Sequence, residues 1–321
     1  MPTLVRRLKG GLGLLGALGL AAGALTACGG GAEPRAQSAG STPAASSPSP
    51  TKPAVNPVKA ATRGGYVSLG DSFTSGSGTG RCGRSARAYP HLVAKRFHFA
   101  DAPTYAACTG ATVAGLTGQE KGHEPQIAAI TAKTALVTLQ IGGNDLGFTP
   151  VLATCVLQSR GSSACRAQEP DIRHRLTTLR SELRAAITKI HASAPRARVL
   201  LLGYPHLFPY RPKQKTAELA PRDQRWLNDM TNLMNAGIRA TAKHADAAVK
   251  DGRGSVEYVD VTGAFNNHEL GRADPYVHDL NVDYQNFSVD PASFHPTDTG
   301  QRELAKRVEE QIKAGPGRPL H

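Results

Sequence analysis

Tyr66 to Gly80 reads YVSLGDSFTSGSGTG. Its first four residues, Tyr66 to Leu69, form a short apolar run with β-branched character, which predicts a buried strand. Gly70-Asp71-Ser72 follows at once and opens a loop rich in Ser, Thr and Gly. A serine at the end of a parallel strand stands where open α/β sheets place their ligands, outside the carboxyl ends of the strands. A helical turn beginning just after it aims backbone N–H groups at whatever reacts there. Taken alone, Asp71 and Ser72 read equally well as a helix cap.

The flanking sequence supplies the rest of a sheet. Ala135 to Ile141 (ALVTLQI) is the clearest buried strand and runs straight into Gly142-Gly143-Asn144-Asp145. Pro103 to Cys108 predicts a second strand, leading into the tight turn Thr109-Gly110-Ala111-Thr112. Arg198 to Leu202 (RVLLL) and Val256 to Val261 (VEYVDV) complete a set of five. Apolar residues at helical spacing predict helices over 86–97, 124–132, 171–192, 221–244 and 299–312, the last capped by Thr297 or Asp298. Residues 265–291 show little periodicity and read as a long loop, the stretch most able to move over a site. Strands and helices therefore alternate along residues 64–321. That pattern predicts one α/β domain, a five-stranded parallel sheet between helices.

The residues before it have another character. Arg6, Arg7 and Lys9 precede an apolar run, Gly10 to Ala24, that is too short to span a bilayer as a final anchor. This is the layout of a signal peptide over residues 1–27. Leu25-Thr26-Ala27-Cys28 resembles the lipobox of bacterial lipoproteins, and the resemblance implies cleavage before Cys28 and a diacylglycerol anchor on it. Ordinary secretion after Ala27 is the alternative; Arg6-Arg7 matches twin-arginine export poorly. Residues 28–63 are rich in Gly, Ala, Ser and Pro, cannot bury a core, and are expected to be a disordered tether. The protein is thus expected outside the cell, held to the membrane or released.

A net charge of +13 falls to about +10 once Arg6, Arg7 and Lys9 are removed. Solubility accounts for such a charge, and so does attraction to anionic cell-wall polymers or phospholipid surfaces. Nucleic acid is not expected, because no aromatic-plus-basic motif is present. Four of the five cysteines lie in the body: Cys82, Cys108, Cys155 and Cys165. In an exported chain they suggest two disulfides, with three connectivities open and Cys82–Cys108 with Cys155–Cys165 favoured. No C-x-x-C pair or histidine cluster suggests a metal site.

Three of the predicted strands end in turns that carry usable groups: Ser72, Gly110 and Asn144, all at one edge of the sheet. Near the C-terminus, Ser293-Phe294-His295-Pro296-Thr297 ends the long loop and can bring His295 to that edge. These are the parts of a serine hydrolase. Serine needs a base, and a neutral histidine suits near-neutral pH. The tetrahedral intermediate needs donors: the N–H groups of Ser72 and Gly110 and the side-chain amide of Asn144. His123, His206 and His268 read as solvated or structural, and Asp71 as a turn former.

The blocks GDSFTSG (from Gly70), CTGAT (from Cys108), IGGND (from Ile141) and SFHPT (from Ser293) resemble the four signature blocks of the SGNH/GDSL hydrolases, in the same order. The resemblance covers nearly all of residues 64–314 and is greatest to secreted actinobacterial lipases, esterases and phospholipases A1. It implies a three-layer, flavodoxin-like fold, Ser72 as nucleophile, His295 as base, an oxyanion hole of Ser72, Gly110 and Asn144, and no metal or organic cofactor. One position departs. Many relatives carry an aspartate three residues before the histidine, and here that residue is Ala292. The resemblance suggests a backbone carbonyl, of Ala292 or Ser293, in its place; Asp290 is the rival. The function expected is an exported carboxylic ester hydrolase acting on lipid, expected to be monomeric. A carbohydrate O-acetyl esterase and a non-catalytic ligand-binding lipoprotein are the alternatives on the same fold.

Overall fold

The computed structural model describes residues 54–77, 82–158, 163–249, 252–283, 285 and 288–321. The signal segment, the lipobox with Cys28, and the tether up to residue 53 lie outside the described residues. Everything described belongs to one compact unit, Thr51–His321, which holds the entire core. Among these residues no helix is long and apolar enough to cross a membrane.

The sheet has five strands, β1 (Gly65–Gly70), β2 (Thr104–Tyr105), β3 (Thr134–Gln140), β4 (Arg198–Leu202) and β5 (Ser255–Val259). They are parallel throughout, in the order β2-β1-β3-β4-β5. Every position of β3 and β4 is buried, which is why both read as nearly unbroken apolar runs. The chain leaves β1 toward one edge, returns, and adds β3 on the other side. That reversal opens a crevice between the carboxyl ends of β1 and β3, the ordinary ligand position in this strand order.

Eight helices are described: α1 (Pro57–Thr62), α2 (Ser72–Ser75), α3 (Tyr89–Arg96), α4 (Val113–Thr117), α5 (Phe148–Gln158), α6 (Glu169–Ser193), α7 (Pro221–Ala247) and α8 (Asp298–Ala314). α1 and α3 pack on α8, while α4 and α7 pack on α6. The last cap is Thr297, whose hydroxyl accepts from the Gly300 N–H. Cys82–Cys108 and Cys155–Cys165 are the disulfides.

Three expectations need correction. The tether does not run to residue 63, because Pro57–Thr62 is helical. Asn56 caps it through the N–H groups of Val58 and Lys59, Pro57 takes the first turn, and Ala60 and Ala61 are buried. An Ala/Pro composition that suggests a linker also suits a short helix with a small apolar face. The helix expected over 124–132 shrinks to a single 3-10 turn, Gln126–Ala129. Pro125 disfavours helical backbone in the residue before it, and the Gln126 side chain is tied to β1. The second strand, expected over 103–108, is only two residues long. The long loop keeps its character but contains a small antiparallel pair, β6 (Val282–Asp283) with β7 (Ser288–Val289).

At the amino edge of the sheet a buried ion pair joins the layers. Arg198, at the start of β4, is fully buried, and its guanidinium meets both oxygens of Glu257 at 2.8 and 2.7 Å. Its remaining donors go to the carbonyls of Pro57, Ile312 and Gln311. Ser255 and Gln311 also donate to Glu257. One cation therefore ties α1, β4, β5 and α8 together with its donors satisfied, the condition under which a buried pair holds. Glu257→Gln strands the guanidinium and should lower the unfolding free energy by roughly 3–5 kcal/mol. The check is a reduced urea midpoint at constant slope. A midpoint unchanged from the parent would contradict the tie.

Candidate active site

The turn that carries Ser72 is built from the backbone outward. β1 ends at Gly70, whose φ is +143°. A Cβ there would fall 2.3 Å from the Gln140 carbonyl and 2.4 Å from Thr74 Oγ1, so only glycine lets the chain turn this sharply. Both polar backbone groups of Gly70 pair with one buried side chain: its N–H donates to Gln126 Oε1 at 2.8 Å, and its carbonyl accepts from Gln126 Nε2 at 2.9 Å. Asp71 then caps α2 through the Phe73 N–H. Ser72 becomes the first residue of that short helix, 8% exposed.

His295 arrives from the far end of the chain. Phe294 adopts φ +65°, a left-handed conformation uncommon for an aromatic residue. The turn is fixed by hydrogen bonds from the Phe294 N–H to the His278 carbonyl and from the His295 N–H to the Ala292 carbonyl. His295 Nδ1 lies 3.0 Å from the Ser293 carbonyl oxygen, and Nε2 lies 2.7 Å from Ser72 Oγ. A carbonyl only accepts, so the proton of the neutral ring sits on Nδ1 and Nε2 faces Ser72 with its lone pair. Asp290 turns elsewhere, accepting from the Ala292 N–H and from Asn281. Burial pushes the imidazole below its ordinary value of 6.5, against the hydrogen bond to the Ser293 carbonyl and with help from nearby His278.

Gly110 and Asn144 line the same pocket as Ser72 and His295. Gly110 has φ +74°, and its carbonyl accepts from Lys121 Nζ at 2.6 Å. Asn144 Nδ2 donates one proton to the Ala111 carbonyl at 2.9 Å, leaving its second proton for another acceptor. Asp145 accepts from the Val113 N–H, so consecutive residues after β3 hold the turn that carries Gly110. Burial raises the Asp145 carboxyl to about 6. Among the described residues, the backbone N–H groups of Ser72 and Gly110 donate no hydrogen bond.

The end of β4 supplies a further contributor. Gly203-Tyr204-Pro205 reads in sequence only as the end of a strand. Tyr204 is buried, and its hydroxyl donates to Asp71 Oδ2 at 2.5 Å while accepting from the Gly143 N–H at 3.2 Å. This phenol therefore bridges the turns after β1 and β3 from the end of β4. Burial pushes the Asp71 carboxyl up to about 7, against the hydrogen bond from Tyr204. The position of Tyr204 at the same sheet edge is the one signal that could have found it.

The pocket beside Ser72 measures about 250 Å³ and is walled by Phe73, Phe148, Pro205, Leu207 and Met234. A smaller apolar void of about 50 Å³ lies behind it and shares Gly143, Phe148, Thr231 and Met234. A larger cleft of about 520 Å³ flanks the Cys82–Cys108 disulfide. Lys121 and Glu120 in that cleft are already engaged with the 110–112 turn. Cys82, Cys108 and His123 cluster there, but the sulfurs are joined to each other and offer no thiolate to a metal.

A family model described as GDSL-like Lipase/Acylhydrolase matches residues 68–303. Lipase 1 of Streptomyces coelicolor is 32% identical over 245 residues, covering 74% of this chain and 82% of its own. A lipase of Streptomyces rimosus is 32% identical over 244 residues, with the same coverage. Among solved structures, phospholipase A1 from Streptomyces albidoflavus superposes with a TM-score of 0.66 at 31% identity, covering 77% of this chain and 99% of that one. The extracellular lipase of Streptomyces rimosus gives 0.64 at 29%, with equal coverage.

The ring geometry has a direct spectroscopic consequence. Nitrogen-detected NMR should find His295 protonated on Nδ1 in its neutral form and titrating below 6.5. Protonation occurs only as pH falls through that depressed value, so the ring is neutral at pH 7. An Nε2-H tautomer, or a titration above the ordinary range, would contradict the carbonyl-held arrangement.

Proposed function

The chain belongs to the GDSL-like lipase/acylhydrolase family and is a carboxylic ester hydrolase; from that premise we propose that it is an exported lipase that cleaves lipid esters through an acyl-enzyme on Ser72. The observation that carries the proposal is the 2.7 Å contact between Ser72 Oγ and the unprotonated nitrogen of His295. In this reading Oγ attacks the ester carbonyl as Nε2 takes its proton. The developing oxyanion receives the free N–H groups of Ser72 and Gly110 and the second amide proton of Asn144. The imidazolium, still donating from Nδ1 to the Ser293 carbonyl, passes its proton to the departing alcohol. Water then attacks the acyl-enzyme with His295 again acting as base. A carbonyl stabilises imidazolium less than a carboxylate does, but it fixes the same tautomer.

The apolar wall of the pocket supports a lipid acyl group over a sugar. The void behind Met234, lined also by Leu146, Val151, Ile172 and Leu227, gives an acyl chain room beyond the first few carbons. Export is supported by the disulfides and by the extracellular lipase among the similar structures. In this reading a diacylglycerol group on Cys28 would anchor a monomeric enzyme at the membrane face, as the Leu25-Thr26-Ala27-Cys28 motif suggests.

The test is a p-nitrophenyl ester series, acetyl through palmitoyl, with the chain from Thr51 onward and two variants. Medium or long acyl groups should be preferred. Ser72→Ala should lose at least about 10,000-fold in kcat, and Asn144→Ala about 100- to 1000-fold. A rate maximum confined to acetyl would contradict the lipid assignment. Equal rates in Ser72→Ala and parent would remove Ser72 from the chemistry.

A further inference from the structure

The loop after β4 passes the catalytic pocket and then presents a cluster of a different kind. Leu207 walls the pocket, and its carbonyl accepts from the Leu270 N–H. On the other side of Leu270 lies a second cleft of about 380 Å³, lined by Arg211, Lys213, Gln214, Thr216 and Arg272. At its rim Tyr210 stands 77% exposed, among the most exposed large hydrophobic side chains described. Arg211 lies over its ring at 6.0 Å.

This exposure is not that of a slack loop. The backbone of Phe208 is gripped on both sides by buried Asn228, whose Oδ1 accepts from the N–H and whose Nδ2 donates to the carbonyl. Pro212 is buried. Gln224, fully buried, donates to the Gln214 and Leu219 carbonyls. The segment is thus pinned before and after Tyr210-Arg211, and the phenol and the cations are displayed at a set place. The local acids are also committed: Glu218 to Lys215, and Glu269 to Arg272. Among the described residues, Arg211 and Lys213 have no acidic partner.

A single exposed tyrosine is ordinary on a protein surface. A fixed tyrosine beside two unpaired cations, next to an apolar catalytic pocket, is what an anionic bilayer surface recognises. Tyrosine favours the headgroup level, and cations are drawn to acidic lipids. We propose that Tyr210, Arg211 and Lys213 form a docking surface for an anionic phospholipid bilayer, which turns the mouth of the Ser72 pocket toward the membrane. This deepens the lipase reading by naming how substrate in a bilayer is reached. An anionic wall polymer matches the cations but offers nothing to Tyr210.

The experiment is co-sedimentation with phosphatidylcholine vesicles, with and without phosphatidylglycerol. It uses the chain from Thr51 onward, which contains the whole core and lacks Cys28, in a Ser72→Ala background so that no lipid is consumed. Binding should require phosphatidylglycerol. Arg211→Gln with Lys213→Gln should weaken it about 30-fold, as expected for two cations at an acidic surface, and Tyr210→Ser should weaken it several-fold. The same substitutions on the Ser72 enzyme should leave hydrolysis of a soluble p-nitrophenyl ester within about two-fold of parent, because surface changes away from the pocket perturb the fold little, while slowing hydrolysis of vesicle lipid. No vesicle binding, binding unaffected by the substitutions, or capture by soluble polyglycerol phosphate but not by vesicles would overturn the docking surface. Loss of soluble-ester turnover in the parent would instead count against the lipase reading.

Discussion

The hydrogen bond between His295 Nδ1 and the Ser293 carbonyl is the constraint on which the site depends. Because a carbonyl has no proton to give, one side of the ring is fixed as donor and the other as acceptor. The ring must then face Ser72 with a lone pair, 2.7 Å from its oxygen. No carboxylate is needed for that choice, which explains how Ala292 can stand where many relatives carry an aspartate. The local demand is met in the backbone: Phe294 at φ +65° turns the chain so that a carbonyl two residues earlier reaches the ring. Strain of this kind persists only where the surroundings over-determine it, and the paired backbone contacts between 278 and 295 do so.

A second regularity runs along the carboxyl edge of the sheet. Strands stop there, and the turns that follow expose backbone groups that water cannot reach. Buried amide side chains take the place of a neighbouring strand. Gln126 pairs both groups of Gly70, and Asn235 pairs both groups of Tyr204. Gln301 links the Tyr89 N–H to the Phe73 carbonyl. A buried backbone donor or acceptor left unpaired costs about 1–3 kcal/mol, so these amides are structural necessities that also fix the turns carrying Ser72 and Tyr204. The opposite edge is secured differently, by the fully paired Arg198–Glu257 cluster.

Much of this was legible in the chain. β1, β3, β4 and β5 announce themselves because buried parallel strands must be apolar on both faces. Ser72, Gly110, Asn144 and His295 could be picked out because each sits in a short polar or glycine turn where a strand or loop ends. The supporting residues could not. Gln126 and Asn235 act on backbone groups 56 and 31 positions away, and sequence shows neither the distance nor the partner. Tyr204 looks like one more apolar residue at a strand end until β4 is placed beside β3. The segment 124–132 misleads because apolar spacing ignores what Pro125 forbids and what Gln126 is required to do. Pro57–Thr62 misleads in the other sense, since two buried alanines carry too little hydrophobic signal to stand out from a linker.

The claim at the centre is that Ser72 is the activated nucleophile and that the carbonyl-held imidazole activates it. The most direct measurement is reaction of the chain with a fluorophosphonate, followed by proteolysis and mass mapping of the adduct. One adduct is expected, on the peptide carrying Ser72, formed rapidly in the parent and not detectably in His295→Ala. An adduct on another residue, or one on Ser72 that forms as fast without the His295 ring, would contradict it.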